Sequence, residues 1–310
     1  MTRTTVGAAA LLAGFAVAAC GGSTGPGPDT GDDSSAAESL DGARVTVGSA
    51  NFPENILLAE IYTSALEAEG VEVRQRLSLG SRETYLAGLE EGSISVVPEY
   101  TGALALHFNP DVEASDPDGV FAELEEALPP TLIVLEPSQA QDQDCLVVTQ
   151  ETAREFGLTT IADLEPVADS LVLGGAPQFE DRPSGVPGLR EVYGLEFSAY
   201  RPLAAGSDLA VRSLANGQVD VANIFSTDPS IKENDFVVLE DPESLFVAQN
   251  VVPLMNKEAN NDRVSTTLNK VSATLDTPLL TELLAQVVVH DADPKDVAQT
   301  FVEEDLGWPR

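Results

Sequence analysis

Apolar positions along the chain switch between a period of two and a period of three to four, the pattern of strands alternating with helices. The first alternating run, Arg44-Val45-Thr46-Val47, reads as a strand. Gly48 to Glu54 (GSANFPE) reads as a turn into a helix, with Asn51 as its cap and Pro53 in its first turn. Leu57, Ile61, Ala65 and Ala68 then recur on one helical face until Gly70 ends it, and Val71-Glu72-Val73 is the next strand. A second helix follows Gly80-Ser81, and a third strand ends at Tyr100. This β-α-β-α-β order predicts a parallel sheet with right-handed crossovers.

Beyond it the pattern predicts a helix over 119–128 and strands over Thr131–Leu135 and Asp142–Thr149. From Glu151 the alternation restarts, with helices near 151–156 and 160–164 and a strand at Leu171-Val172-Leu173. Gly174 to Gly188, rich in Gly and Pro, reads as a long loop, and loops of that length in compact domains usually carry function. Strands follow that end at Phe225 and cover Phe236–Leu239. Leu245 to Leu254 reads as a return crossing. The tail from Arg263 reads as three helices, with Pro278 and Pro294 marking the starts of the second and third.

One stretch has an echo. Leu89–Gly102 (LEEGSISVVPEYTG) and Leu214–Asp228 (LANGQVDVANIFSTD) share Leu-x-x-Gly-x-[Ile/Val]-x-Val and place Tyr100 and Phe225 at the same offset. Gly80-Ser81 and Gly206-Ser207 precede the two copies. Each reads as a Ser-capped helix ending at a Gly in the left-handed conformation, then a short alternating strand that ends on an aromatic. Two such units predict two α/β lobes, each with an aromatic at a strand's carboxyl end, where open α/β sheets hold ligands. Two aromatics across a cleft suit a flat or cationic ligand.

Composition narrows the partners. The 310 residues, 43% apolar, suit two lobes with buried cores. The net charge of −35, from 51 acidic and 16 basic residues, repels nucleic acid and anionic lipid headgroups. The histidines, His107 and His290, show no metal-ligand spacing, and the chain carries neither a nucleophile elbow nor a phosphate loop. No cofactor, metal or enzymatic activity is expected.

The N-terminus has Arg3, an apolar run from Thr5 to Ala19, and then Val17-Ala18-Ala19-Cys20, which resembles a bacterial lipobox. The run is shorter than the ~20 residues of a comfortable membrane span. Residues 1–19 are therefore read as a lipoprotein signal peptide, Cys20 as the lipidated terminus, and residues 20–43 as a flexible tether. With Cys20 used, Cys145 has no partner for a disulfide and reads as a buried strand residue, not a nucleophile. Residues 44–142 and 249–310 are assigned to lobe 1 and 143–248 to lobe 2, a hinged clamp with two chain crossings.

Four stretches then carry a resemblance: Val47-Gly48-Ser49-x-Asn51-Phe52-x-Glu54, Pro98-Glu99-Tyr100-Thr101-Gly102, Phe179-x-x-Arg182-Pro183-x-Gly185-x-Pro187-Gly188-Leu189, and Ser226-Thr227-Asp228. Through them the chain resembles the binding lipoproteins of glycine betaine/choline (osmoprotectant) ABC importers, which have the periplasmic-binding-protein type II fold. The resemblance implies a monomeric extracytoplasmic receptor, anchored by lipid alone, that serves permease and ATPase subunits. It implies that Tyr100 and Phe225 belong to an aromatic cage and that Arg182 binds a carboxylate. Asn51, Phe52 and Thr227 lie in the matching stretches.

The departures leave the ligand open. A family lysine is replaced by Ala50, a threonine by Ala103, and two cage tyrosines by Asp144 and Gln249. Asp144 points towards choline or another amine, and Arg182 towards a betaine. An amino acid, a polyamine or ergothioneine is the alternative solute, and a tethered hydrolase or adhesion module the alternative class.

Overall fold

The computed structural model describes residues 44–203 and 208–308. The signal segment, Cys20, the tether, and Gly206-Ser207 lie outside the described residues. The chain opens β1 (Val45–Gly48), α1 (Pro53–Ala68), β2 (Val73–Arg76), α2 (Arg82–Glu90) and β3 (Val96–Tyr100). It continues α3 (Thr101–Phe108), α4 (Pro117–Ala127) and β4 (Leu132–Val134). Next come β5 (Asp144–Val148), α5 (Gln150–Phe156), β6 (Val172–Gly175), α6 (Val186–Tyr193) and β7 (Ala199–Pro202). Then α7 (Asp208–Ala215), β8 (Val221–Phe225), α8 (Ser230–Glu233), β9 (Val237–Val238) and β10 (Val251–Asn256). Helices α9 (Asp262–Thr274), α10 (Thr277–Val288) and α11 (Pro294–Glu304) close it.

Two five-stranded sheets result, in the orders β2-β1-β3-β10-β4 and β7-β6-β8-β5-β9. In each, three neighbouring strands pair in parallel, as the βα alternation predicts. The parallel sheet expected of the first three strands is present, and β10 and β5 are added strands that run antiparallel to β3 and β8. Both are crossing strands that enter their sheet from the other half of the molecule, so no crossover helix sets their direction. The two crossings pair with each other. Gln141 bridges Asn250, Asp142 N–H donates to Gln249 O at 3.0 Å, and Val251 N–H donates to Ala140 O at 3.0 Å.

Burial explains where the one-face reading of helices and strands gives way. Apolar clusters cover both faces of each sheet. Strand β3 is therefore buried at every position and does not alternate. On α1, Leu58, Tyr62 and Leu66 are buried as fully as Leu57, Ile61 and Ala65, because α9, α10 and α11 pack over it. Ala68, expected on the buried face, is exposed.

The repeat is real in the backbone. Gly92 and Gly217 follow α2 and α7 with φ of 75° and 63°, and β3 and β8 occupy equivalent third places. Two capping expectations fail. Phe52, not Asn51, is the α1 cap, and neither it nor Ser81 caps through its side chain. The Ser81 hydroxyl turns to Glu83 instead, and Asn55 Oδ1 takes the Ala50 N–H at 2.7 Å. Elsewhere Asp116, Asn261, Asp276 and Asp293 cap α4, α9, α10 and α11, each worth about 1 kcal/mol. The supposed long loop holds a 3-10 turn at Pro177–Glu180 and the first turn of α6.

Candidate functional site

Strands β3 and β8 end on Tyr100 and Phe225, and Phe52, at the mouth of α1, touches both rings. Its centroid lies 6.1 Å from Tyr100, stacked, and 5.5 Å from Phe225, tilted by 36°. Beside the three rings is a cavity of about 740 Å³ of empty space, open solvent included. Asn51, Phe52, Tyr100, Asp144, Arg182, Phe225 and Gln249 all line it. Thr227 does not; it lines a smaller neighbouring cavity with Phe52, Glu54 and Phe225. Ala50 and Ala103 are also on the main wall, where they offer no polar group.

Each lining residue is set by an identifiable device. Gln249 Oε1 accepts the Ala103 N–H at 2.8 Å, so this oxygen is committed to the backbone of α3. Asp144 stands opposite Phe225 in the β5–β8 register and accepts from Asn223 Nδ2 at 2.9 Å. Burial raises its pKa, against the Asn223 hydrogen bond and the charges of Arg182 and Arg82. Cys145 lies in β5 as expected but is half-buried rather than buried; desolvation, with Asp142, Asp144 and Asp241 nearby, pushes its thiol up to about 12. Such a thiol is inert near neutral pH.

Arg182 belongs to the segment before α6. Its Nη2 lies 3.6 Å from Glu83 Oε1 of α2, and both side chains are partly exposed. The contact links the two halves of the molecule at the cavity. Deeper in, Arg82 is 7% exposed and grips Glu99 of β3 with Nε and Nη2, both at 2.7 Å. Tyr85 donates to the same carboxylate at 2.6 Å. Burial works against the Glu99 charge, but Arg82 and Tyr85 more than offset it and hold Glu99 below its usual range.

Under the aromatic rings runs a second polar cluster. Tyr100 donates its hydroxyl to Glu54 Oε1 at 2.7 Å. The Thr227 hydroxyl contacts Glu54 Oε2 and, at 2.9 Å, Asp142 Oδ1. Burial raises Glu54 and drives Asp142 well above the usual carboxylate range, the Glu54 charge adding to the Asp142 shift. Strand β3, helix α1, the first crossing and the end of β8 are thus tied at one point.

Arg82, Tyr85, Glu99 and Asp142 were missed by sequence reasoning as members of the site. Glu99 and Glu54 stood inside the quoted motifs, but nothing local distinguishes a buried acid from a solvated one. A basic residue right after the Gly80-Ser81 turn, in a chain so short of them, was the available signal for Arg82.

Residues 43–304 match the family described as the substrate binding domain of ABC-type glycine betaine transport system. The glycine-betaine-binding protein of Pseudomonas aeruginosa is 26% identical over 272 residues, 83% of this chain and 86% of that protein. The glycine betaine-binding protein YehZ of Escherichia coli is 26% identical over 280 residues, 86% of this chain and 92% of that one. Among solved structures, a glycine betaine/carnitine/choline ABC transporter protein superposes with a TM-score of 0.69 at 21% identity. The match covers 86% of this chain and all of that one, and it shows the two-lobed periplasmic-binding-protein type II fold. This is a family of transport receptors, not of enzymes, and its members in ABC importers work outside the cytoplasm alongside a permease. With the fold, the matched span and the relatives in agreement, the chain belongs to the substrate-binding domains of ABC-type glycine betaine transport systems.

Proposed function

We propose that the protein binds a quaternary-amine osmoprotectant, glycine betaine, choline or a related betaine, between its two halves and delivers it to a membrane permease. The observation that carries this is the trio Phe52, Tyr100 and Phe225, drawn from both halves onto one cavity that also holds Arg182. A quaternary ammonium donates no hydrogen bonds, so aromatic faces and shape are what can hold it. A carboxylate needs separate donors, and the planar fork of Arg supplies two. Relatives named for glycine betaine support the same reading.

Residues 44–142 with 249–310 form one lobe in this reading and 143–248 the other, and closure on the ligand gives the permease a distinct surface to recognise. Ligand contact is assigned to Tyr100, Phe225, Phe52, Asn51, Arg182, Asp144 and Gln249, with Thr227 beneath them. Residues 1–19 are removed, Cys20 carries the lipid that holds the monomeric receptor to the outer face of the cell membrane, and an ATPase subunit drives uptake. Asp144 favours a second reading, in which the solute is a cation without a carboxylate. Ergothioneine, named for a Helicobacter pylori relative 23% identical over 255 residues (81% of this chain, 45% of that protein), is a further candidate.

Calorimetric titration against glycine betaine, proline betaine, choline, carnitine, ergothioneine, amino acids and polyamines tests the proposal. Saturable binding of a quaternary amine is expected. Binding only of unmethylated amines, or of nothing, would overturn the named ligand class.

A further inference from the structure

We propose that Arg82 is a specificity-determining residue, the second half of a two-arginine carboxylate clamp that it forms with Arg182 across the cavity. This rests on the receptor reading above and names the part of the site that selects a zwitterion over a plain cation.

The geometry of Arg82 is unusual for a structural ion pair. It is the first residue of α2 and lines the cavity while almost wholly buried. Nε and Nη2 are committed to Glu99, which in turn is fixed by Tyr85 and by the Tyr100 backbone N–H at 3.0 Å. Nη1 carries no hydrogen bond to another described residue, and it is not among the polar atoms sealed from solvent space. One edge of the guanidinium is therefore anchored, and Nη1 is uncommitted on a residue that lines the cavity. A guanidinium can serve two carboxylates at once because its five N–H donors lie on separate edges of one plane; an ammonium lacks that fork.

Arg182 reaches the same cavity from the segment after β6, and among the described residues its side chain makes the long contact to Glu83. Both arginines are close enough to Asp144 for their charges to oppose the rise that burial gives its pKa. A carboxylate placed between them would take one pre-set donor from each half, and so couple its own binding to closure. Ala50 and Ala103 supply no competing side-chain donor on that wall. Arg82 is locked before the ligand arrives, so little side-chain entropy is lost when it binds.

Calorimetry with glycine betaine and choline on the full-length protein separates the possibilities, because choline has the same trimethylammonium group and no carboxylate. Arg82→Gln is measured beside Arg82→Gln/Glu99→Gln, which removes both buried charges and remains informative where the single variant fails to fold. A loss of glycine betaine affinity of about tenfold or more, with choline changed by less than about threefold, is expected for a charge-assisted contact made to one ligand only. Equal weakening of both ligands, or an unchanged preference, overturns the Arg82 assignment and leaves the receptor reading standing. So does a wild-type protein that binds choline and not glycine betaine. A wild-type protein that binds neither overturns both.

Discussion

Glu54 on α1 and Asp142 in the first crossing meet at one hydroxyl, that of Thr227, which lies just beyond β8. A hydroxyl has a single proton to donate, so its second carboxyl contact requires a proton on Glu54 or Asp142. Tyr100 already gives its own proton to Glu54, and Asp228 adds only repulsion. The pair thus holds a proton that the unfolded chain releases. A carboxyl with a raised folded pKa contributes stability that is whole below the ordinary aspartate value of 3.8 and is lost as pH rises through the raised value.

As pH rises above the ordinary aspartate value of 3.8, the wild-type protein is accordingly expected to lose stability, by up to about 1.4 kcal/mol per pH unit while the proton remains bound. Asp142→Asn, whose amide supplies a permanent donor, is expected to flatten that slope. Urea denaturation of both proteins at several pH values measures it; parallel profiles would rule out the shared proton.

The Arg82–Glu99 pair is fully desolvated on the Glu99 side, so one partner cannot be removed cheaply. Glu99→Gln is expected to cost about 3 kcal/mol, and Arg82→Gln/Glu99→Gln less than the sum of the two single changes. Denaturant midpoints of the four proteins close this cycle, and strict additivity would argue against a coupled pair.

Phe52→Ala, Tyr100→Ala and Phe225→Ala are each expected to weaken a quaternary amine by ~0.5–2 kcal/mol. Tyr100→Phe keeps the ring and loses the hydrogen bond to Glu54, and should retain more affinity than Tyr100→Ala. Calorimetry on the same ligand gives the comparison. Unchanged affinity in all three alanine variants would remove the aromatic site.

Asp144→Asn removes one acid from the cavity wall that Arg82 and Arg182 share. Choline is expected to weaken relative to glycine betaine, on the order of 1 kcal/mol in the ratio at the effective dielectric of a partly solvated cleft. An equal effect on the two ligands would show that Asp144 does not read ligand charge.

Gly185 holds the Arg182 segment in place by close approach. A Cβ there would lie 1.9 Å from Phe179 O and 3.2 Å from Arg182 O. Gly185→Ala is expected to cost about 2 kcal/mol or more and to weaken carboxylate ligands beyond choline. Thermal melts and titrations on one preparation test both; a wild-type melt with wild-type selectivity would contradict the packing argument.

Much of this protein was decided locally. The βα alternation, the proline-marked C-terminal helices, the left-handed glycines after α2 and α7, and the aromatics ending β3 and β8 all depend on periodicity and turn chemistry within a few residues. Those signals were enough to predict two α/β units and to bring Tyr100 and Phe225 forward as site candidates, whereas Arg182 came forward only through the family resemblance of its stretch. Three-dimensional packing decided the rest. The direction of β5 and β10 follows from crossings between halves, and the all-round burial of α1 follows from helices more than 190 residues later in the chain. Glu99 and Asp142 read as ordinary acids in a chain with 51 of them. They become an anchor and a proton-holding bridge only because folding removes them from water next to Arg82 and Glu54, and desolvation is a property of the assembled structure that no local pattern encodes.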